Sequence, residues 1–288
     1  MSKVKNVKLL IIDPQNDFCD IAENELPVTA DNANKNPSPI ARPALPVAGG
    51  DADMKRLARF IDHIGPQLEG ICVTLDSHSP IDIAHPTWWQ NEKGESPAPF
   101  KMITAEDVRN GVWRSRDAAR QAGSLAYVEA LEKNKRYLLV IWPEHCLIGS
   151  WGHNVHNAVK TSLDRWARSQ LKPVDFVTKG ANPNTEHYSA VQAEVPDPKD
   201  ESTQLNRRLI ESLASADLVI VAGEALSHCV ANTVRDIANN IAKEDIRKLV
   251  LLTDCASSVG GFEKLGADFV AELTSRGMQT STSEAFRI

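Results

Sequence analysis

Val7-Lys8-Leu9-Leu10-Ile11-Ile12-Asp13-Pro14-Gln15-Asn16-Asp17-Phe18 is a nearly continuous apolar run that stops at a carboxylate and a proline. A short run of Leu and Ile without alternation is the pattern of a strand buried on both faces. Pro14 disfavours helix at Asp13, so the run ends there. The signature recurs at residues 70–75, 137–141, 174–178, 217–222 and 248–253, and more weakly at 278–282. Between these runs lie segments of helical spacing, at 51–68, 118–132, 153–171, 203–214, 229–242 and 261–275. In the first of them Leu57, Phe60, Ile61 and Ile64 share one face. Alternation of strand and helix predicts an α/β protein: a mostly parallel sheet between two layers of helices.

The chain has 288 residues, 42% of them hydrophobic, enough for one large domain with a substantial core. The expectation is a single domain over 1–288. Two stretches break the rhythm. Residues 20–46 are rich in Pro, Asn and Ala and read as a long loop or flap. Residues 79–116 carry four prolines with Trp88, Trp89 and Trp113, so they pack as an excursion rather than lie disordered. The insertions are therefore placed near 20–46 and 79–136. A net charge of −6 gives nucleic-acid binding no electrostatic support. No apolar run approaches the roughly 20 residues that span a bilayer. The N-terminus lacks the apolar stretch of a signal peptide. The cysteines, Cys19, Cys72, Cys146, Cys229 and Cys255, are odd in number and form no CxxC, which argues against a disulfide framework. The expected setting is the cytoplasm, with no membrane and no nucleic-acid partner.

In an open parallel sheet, ligands bind beyond the carboxyl ends of the strands. Asp13 follows the first run, Asp76-Ser77-His78 the second, Trp142-Pro143-Glu144-His145-Cys146 the third and Lys179-Gly180 the fourth. Gly223-Glu224-Ala225-Leu226-Ser227-His228-Cys229-Val230 follows the fifth. One charged residue ending a strand is ordinarily a solvated surface group, but five such ends point to one site. Cys229 opens a helix, where the N-terminal field favours thiolate, and is the natural nucleophile. Asp13 can take its proton, and Lys179 can stabilise both anions. Asp76 and His78, two residues apart in extended chain, share a side and suit a divalent ion of zinc, iron or manganese. His145 is a third ligand and His85 a fourth. Phe18 and Trp142 can sandwich a flat ring. His153, His156, His187 and His228 are set aside. His228 adjoins the nucleophile and is expected to point elsewhere on the helix.

These pieces, in this order, resemble the nicotinamidase branch of the isochorismatase-like cysteine hydrolases. The match runs through Ile12 to Cys19, Asp76-Ser77-His78, Trp142 to Cys146, Lys179-Gly180 with Tyr188-Ser189-Ala190, and Gly223 to Val230, covering most of the chain. The resemblance implies a Rossmann-like sheet of about six strands. It implies a triad of Cys229, Asp13 and Lys179, and metal ligands Asp76, His78 and His145. It further implies a cis peptide between Glu224 and Ala225 that aims the amides of Ala225 and Cys229 into an oxyanion hole, and a ring pocket at Phe18 and Trp142. The activity it implies is hydrolysis of a small amide, nicotinamide foremost, in NAD salvage. The segments at 20–46 and between His78 and Trp142 are longer than in compact members, which leaves other small amides and N-carbamoyl or ureido compounds open as substrates. A homo-oligomer stays open too. A non-catalytic binding protein on the same fold would have no need of Cys229. A dinucleotide-dependent dehydrogenase would need a GxGxxG after the first strand, and none occurs.

Overall fold

The computed structural model describes residues 6–28 and 41–288. In chain order, the strands among them begin with β1 (Val7–Ile12), β2 (Gly70–Asp76), β3 (Trp89–Gln90), β4 (Met102–Ile103) and β5 (Arg114–Ser115). They continue with β6 (Leu139–Val140), β7 (Asp175–Lys179), β8 (Leu218–Gly223), β9 (Leu249–Leu252) and β10 (Gln279–Ser281). Six form one parallel sheet in the order β10-β9-β8-β1-β2-β7. β1 lies between β2 and β8, with Leu9 opposite both Ile71 and Ile220. The chain winds outward from β1 to β7 on one side, then crosses to β8 and winds outward on the other. The order reverses beside β1, which puts a crevice at the carboxyl ends of β1 and β8.

Strand alternation divides the core in two. Leu9 and Ile11 face one helical layer and pack with Met54, Leu57 and Ile61 of α1 (Gly50–Ile64). Leu10 and Ile12 face the other cluster, to which the remaining elements contribute. Those include α2 (Ala105–Arg109) and α3 (Gln121–Asn134), whose Val128 and Leu131 are buried. α4 (Asn157–Gln170) joins α1 on the first face. α5 (Arg207–Ala214), α6 (Ala231–Asn240) and α7 (Glu263–Ser275) cover the second.

One expected strand changes place. The apolar run 137–141 yields only β6, which pairs antiparallel with β4 outside the main sheet. The weak candidate at 278–282 supplies the sixth strand instead, as β10. Apolarity reports burial and says nothing about the partner. Val140 and Ile141 are buried in the core under the excursion.

The excursion is packed, as its tryptophans require. Trp89 is fully buried and donates Nε1–H to the Ile83 carbonyl at 2.7 Å, and Trp88 donates to Ser124 Oγ at 3.0 Å. α2 opens on a capping box between Thr104 and Asp107. The expected flap at 20–46 lies partly outside the described residues. Its described end is anchored, because Asp17 accepts from the amides of Ala44 and Leu45.

Candidate active site

β1, β2, β7 and the turn after β8 bring Asp13, Asp76, Lys179 and Cys229 together. Lys179 is only 2% exposed, which removes the surface-lysine alternative. Its Nζ lies 2.9 Å from Asp13 Oδ2, 3.0 Å from Asp76 Oδ1 and 3.6 Å from Cys229 Sγ. Both contacts are buried ion pairs, and the one to Asp76 is also a hydrogen bond. Burial opposes the Lys179 charge, but the carboxylates of Asp13 and Asp76, with Cys229 beside them, raise its pKa well above the usual lysine value. Asp13 is fully buried, and Thr74 donates its hydroxyl to Asp13 Oδ1 at 2.5 Å. Cys229 behaves differently from the sequence expectation. Burial pushes its thiol well up, Lys179 opposes that, and Asp13 adds to it. The resting sulfur is a thiol, and a base has to remove its proton.

The backbone around these groups is over-determined. Gln15 donates to the Asp76 carbonyl at 2.8 Å and accepts from the Asp76 amide at 2.7 Å, so the motif after β1 fixes the end of β2. Asp17 accepts from the Cys146 amide at 2.6 Å, which draws in the loop carrying His145. That loop therefore reaches the site without belonging to the sheet. Gly223 has φ 134°, and a Cβ there would lie 2.0 Å from the Ile12 carbonyl oxygen. A Cβ on Gly180, at φ 85°, would lie 2.9 Å from Asp76 Oδ1. Only glycine fits at either position. The expected cis bond after Glu224 is not found, since every peptide among the described residues is trans. Ala225 turns the chain in the left-handed region instead, at φ 57° and ψ 56°. The next residues, Leu226–Val230, form one wide π turn, with the Val230 amide donating to the Ala225 carbonyl, and α6 follows. Cys229 thus sits in the wide turn ahead of the helix.

Asp76, His78 and His145 each present one ligand atom, all within 4.8 Å of one another. His78 Nδ1 lies 3.0 Å from Asp82 Oδ2, and His145 Nδ1 lies 2.8 Å from the Pro143 carbonyl. Each contact takes the Nδ1 proton and leaves Nε2 to bind. Both Nε2 atoms converge on Asp76 Oδ2, at 3.1 and 3.3 Å. His85 stands outside that tight group, but its ring centre is 5.1 Å from that of His78 and 5.6 Å from that of His145. It is fully buried, and neither ring nitrogen has a partner. Burial and the two neighbouring imidazoles bring its pKa down to about 3, so it is neutral with a free lone pair. A carboxylate, two oriented imidazoles and an orphaned third suit a divalent ion with nitrogen and oxygen ligands.

A narrow cleft opens onto Cys229. Phe18, Trp142, Tyr188, Val259, Asp76 and His145 help to line it, which puts both expected ring-binding residues on the same cleft as Cys229. No family model matches the sequence, and no curated protein matches it either. Solved structures do. The chain is similar to the yeast nicotinamidase, with 18% identity over 95% of this chain and 98% of that one, at a TM-score of 0.59. A nicotinamidase–pyrazinamidase of Acinetobacter baumanii matches at 18% identity over 98% and 99%, with a TM-score of 0.58. The pyrazinamidase of Pyrococcus horikoshii, solved in complex with zinc, matches at 17% identity over 96% and 99%, with a TM-score of 0.52. The chain has the isochorismatase-like hydrolase fold. Within that isochorismatase-like frame, several groups at the site had no signal in the sequence reading. Thr74 is mid-strand, and Asp82 lies four residues past His78. Glu186 lines the cleft with Oε1 4.0 Å from His78 Nε2 and Oε2 unpartnered. His228 also lines the cleft rather than pointing elsewhere. A run of apolar or charged letters reveals none of these, because each depends on how two distant loops meet.

Proposed function

We propose that the protein is a cysteine amidohydrolase that cleaves a small aromatic amide, nicotinamide foremost, to the acid and ammonia through a thioester on Cys229. The observation that carries this reading is the buried contact set of Asp13, Lys179 and Cys229 at the floor of the cleft. A binding site has no need of a thiol, a base and an ammonium in mutual reach.

Asp13 takes the Cys229 proton, and Lys179 holds both partners as the charge moves. The thiolate attacks the amide carbon. The Cys229 amide is the donor left for the oxyanion, because the cis bond expected to aim the Ala225 amide there is absent. Asp13 returns the proton to the departing ammonia, then draws a proton from the water that opens the thioester. A divalent ion, when bound by Asp76, His78, His145 and His85, supplies a Lewis acid for a ring nitrogen or for water. The protein's own part is to orient that ligand set through Asp82 and the Pro143 carbonyl. The zinc complex of the Pyrococcus horikoshii pyrazinamidase supports zinc among the candidate ions. Phe18 and Trp142 line the cleft beside Cys229 and would hold a flat ring between them. The five cysteines are all unpaired, and among the described residues no helix is long and apolar enough to cross a membrane. We place the reaction in the cytoplasm, in NAD salvage.

Ammonia release from nicotinamide, pyrazinamide and an N-carbamoyl compound tests the reading. Nicotinamide should give the highest kcat/KM, and Cys229→Ala should abolish turnover. A folded Cys229→Ala protein that still releases ammonia would sink it.

A further inference from the structure

Phe100 holds a strained backbone that neither a helix end nor the proposed chemistry requires. Six residues other than glycine have positive φ among the described residues. Asp13, Cys146 and Ala225 are at or beside the candidate site, and Lys135 and Leu171 close α3 and α4. Phe100, at φ 67°, belongs to neither group. It is the third residue of the turn Ala98-Pro99-Phe100-Lys101, closed by the Lys101 amide donating to the Ala98 carbonyl at 3.2 Å. Pro99 suits the second place of such a turn, and a positive φ in the third is the position of glycine. A bulky residue there is strained, and this one is 48% exposed. Neither the turn nor the core calls for a phenyl ring at that place.

What the ring meets is Trp142. The two lie edge-on, with centroids 5.9 Å apart and planes at 86°. Trp142 lines the cleft beside Cys229 and is only 3% exposed, so the half-exposed Phe100 covers it on the solvent side. The backbone fixes this contact. Phe100 donates its amide to the Ile141 carbonyl at 2.5 Å, and the Ile141 amide donates to the Lys101 carbonyl at 2.9 Å. Two hydrogen bonds thus clamp the turn to the residue before Trp142. Trp142 also donates Nε1–H to Tyr188 Oη at 2.9 Å, so its indole is held from two separate loops.

We infer that Phe100 is a positioning residue that seats Trp142 as a wall of the cleft, so that the excursion sets how tightly a flat substrate is held. This rests on the amidase reading above. Backbone strain persists where the surroundings enforce it, and it gathers at working sites. The contact acts on binding rather than on bond cleavage, because Trp142 grips the ring while Asp13, Lys179 and Cys229 carry out the chemistry.

Phe100→Ala and Phe100→Gly both delete the ring, but only glycine relieves the turn. Phe100→Gly should therefore melt above Phe100→Ala. The KM for nicotinamide should nevertheless rise in both by roughly two- to tenfold, the worth of one edge-on aromatic pair, with kcat little changed. Phe100→Tyr, which keeps the ring, should restore the parental KM. A parental KM in both deletions overturns the inference. So does a KM that follows Tm, raised in the alanine variant alone, or a loss confined to kcat. A second measurement does not depend on turnover. In protein labelled with 5-fluorotryptophan, the Trp142 fluorine resonance, assigned by its absence in Trp142→Phe, should shift or broaden in Phe100→Gly and return in Phe100→Tyr. A Trp142 resonance that stays in place in Phe100→Gly overturns the inference. If the wild type releases no ammonia from nicotinamide, the amidase reading fails, and the fluorine spectra still decide whether Phe100 seats Trp142.

Discussion

Burial sets the chemistry of the individual residues. A thiol at a helix start, judged by position alone, should ionise early. In the folded chain Cys229 is enclosed, and burial drives its pKa well above the ordinary value of 9.0 while Lys179 opposes. Alkylation of Cys229 by iodoacetamide should therefore stay slow near neutral pH and accelerate only above the pH at which a free thiol ionises. Rapid labelling at pH 7 would contradict this. The same burial makes Lys179 indispensable, since it is the ammonium shared by Asp13 and Asp76. Lys179→Met should cost about 3–5 kcal/mol of stability by leaving carboxylates unpaired, and should remove activity as well. Calorimetry and ammonia release read the two effects separately, and a variant as stable as the parent would refute the first. Thr74→Val keeps the shape and deletes one donor to Asp13. A hydrogen bond to a charged group is worth about 1.5–3 kcal/mol, so kcat/KM should drop roughly ten- to a hundredfold with the fold intact.

At the scale of elements, the excursion is tied to the rest of the fold through Glu194. Its carbonyl accepts from Asn134 at the end of α3 at 3.2 Å, and its carboxylate lies 3.8 Å from Arg136. Arg136 also pairs with Asp236 of α6 at 3.2 Å. Burial raises the Glu194 pKa from 4.5 to about 7, with Arg136 opposing and Asp236 and Glu186 adding to the rise. An acid whose pKa is higher folded than unfolded favours the fold while protonated in both states. Its contribution is full below pH 4.5 and is lost as pH climbs to about 7, a loss on the order of 3 kcal/mol. Glu194→Gln should flatten the dependence of Tm on pH across that window, and parallel melting curves for variant and parent would count against it. The elements differ in how far the sequence revealed them. β1, β2, β8 and β9 were legible because strands covered on both faces are apolar throughout. β10 was faint because it is an exposed edge. The run around β6 was misplaced because apolarity carries no information about pairing. The clustering of Asp13, Asp76 and Lys179, candidate site residues that end strands, was readable from position. His228 was misread because its aim is set by a π turn, and turn width is not written in residue type.

For the molecule as a whole, the candidate metal ligands come from separate parts of the chain. Asp76 closes β2 and His78 follows it, His85 lies in the excursion, and His145 is on the loop beyond β6. That loop also carries Trp142, one wall of the cleft. An ion held by all four would cross-link the sheet edge to the excursion and fix that wall. An ion that binds the folded chain alone stabilises it by about 2.7 kcal/mol at a hundred times its Kd. In a chain of this length that shifts Tm by roughly 4–5 °C. Chelator-treated protein should melt lower by about that amount and regain its Tm with zinc, iron or manganese, whichever binds. His85 decides between three ligands and four. Both its nitrogens are buried without a hydrogen-bond partner. His85→Ala should therefore lower metal affinity at least tenfold, read by titration of the metal-free protein, while its metal-free Tm stays at or above the parent's, because an unsatisfied buried imidazole is gone. Equal affinity in variant and parent would confine the site to Asp76, His78 and His145. A metal-free Tm well below the parent's would assign His85 to packing instead.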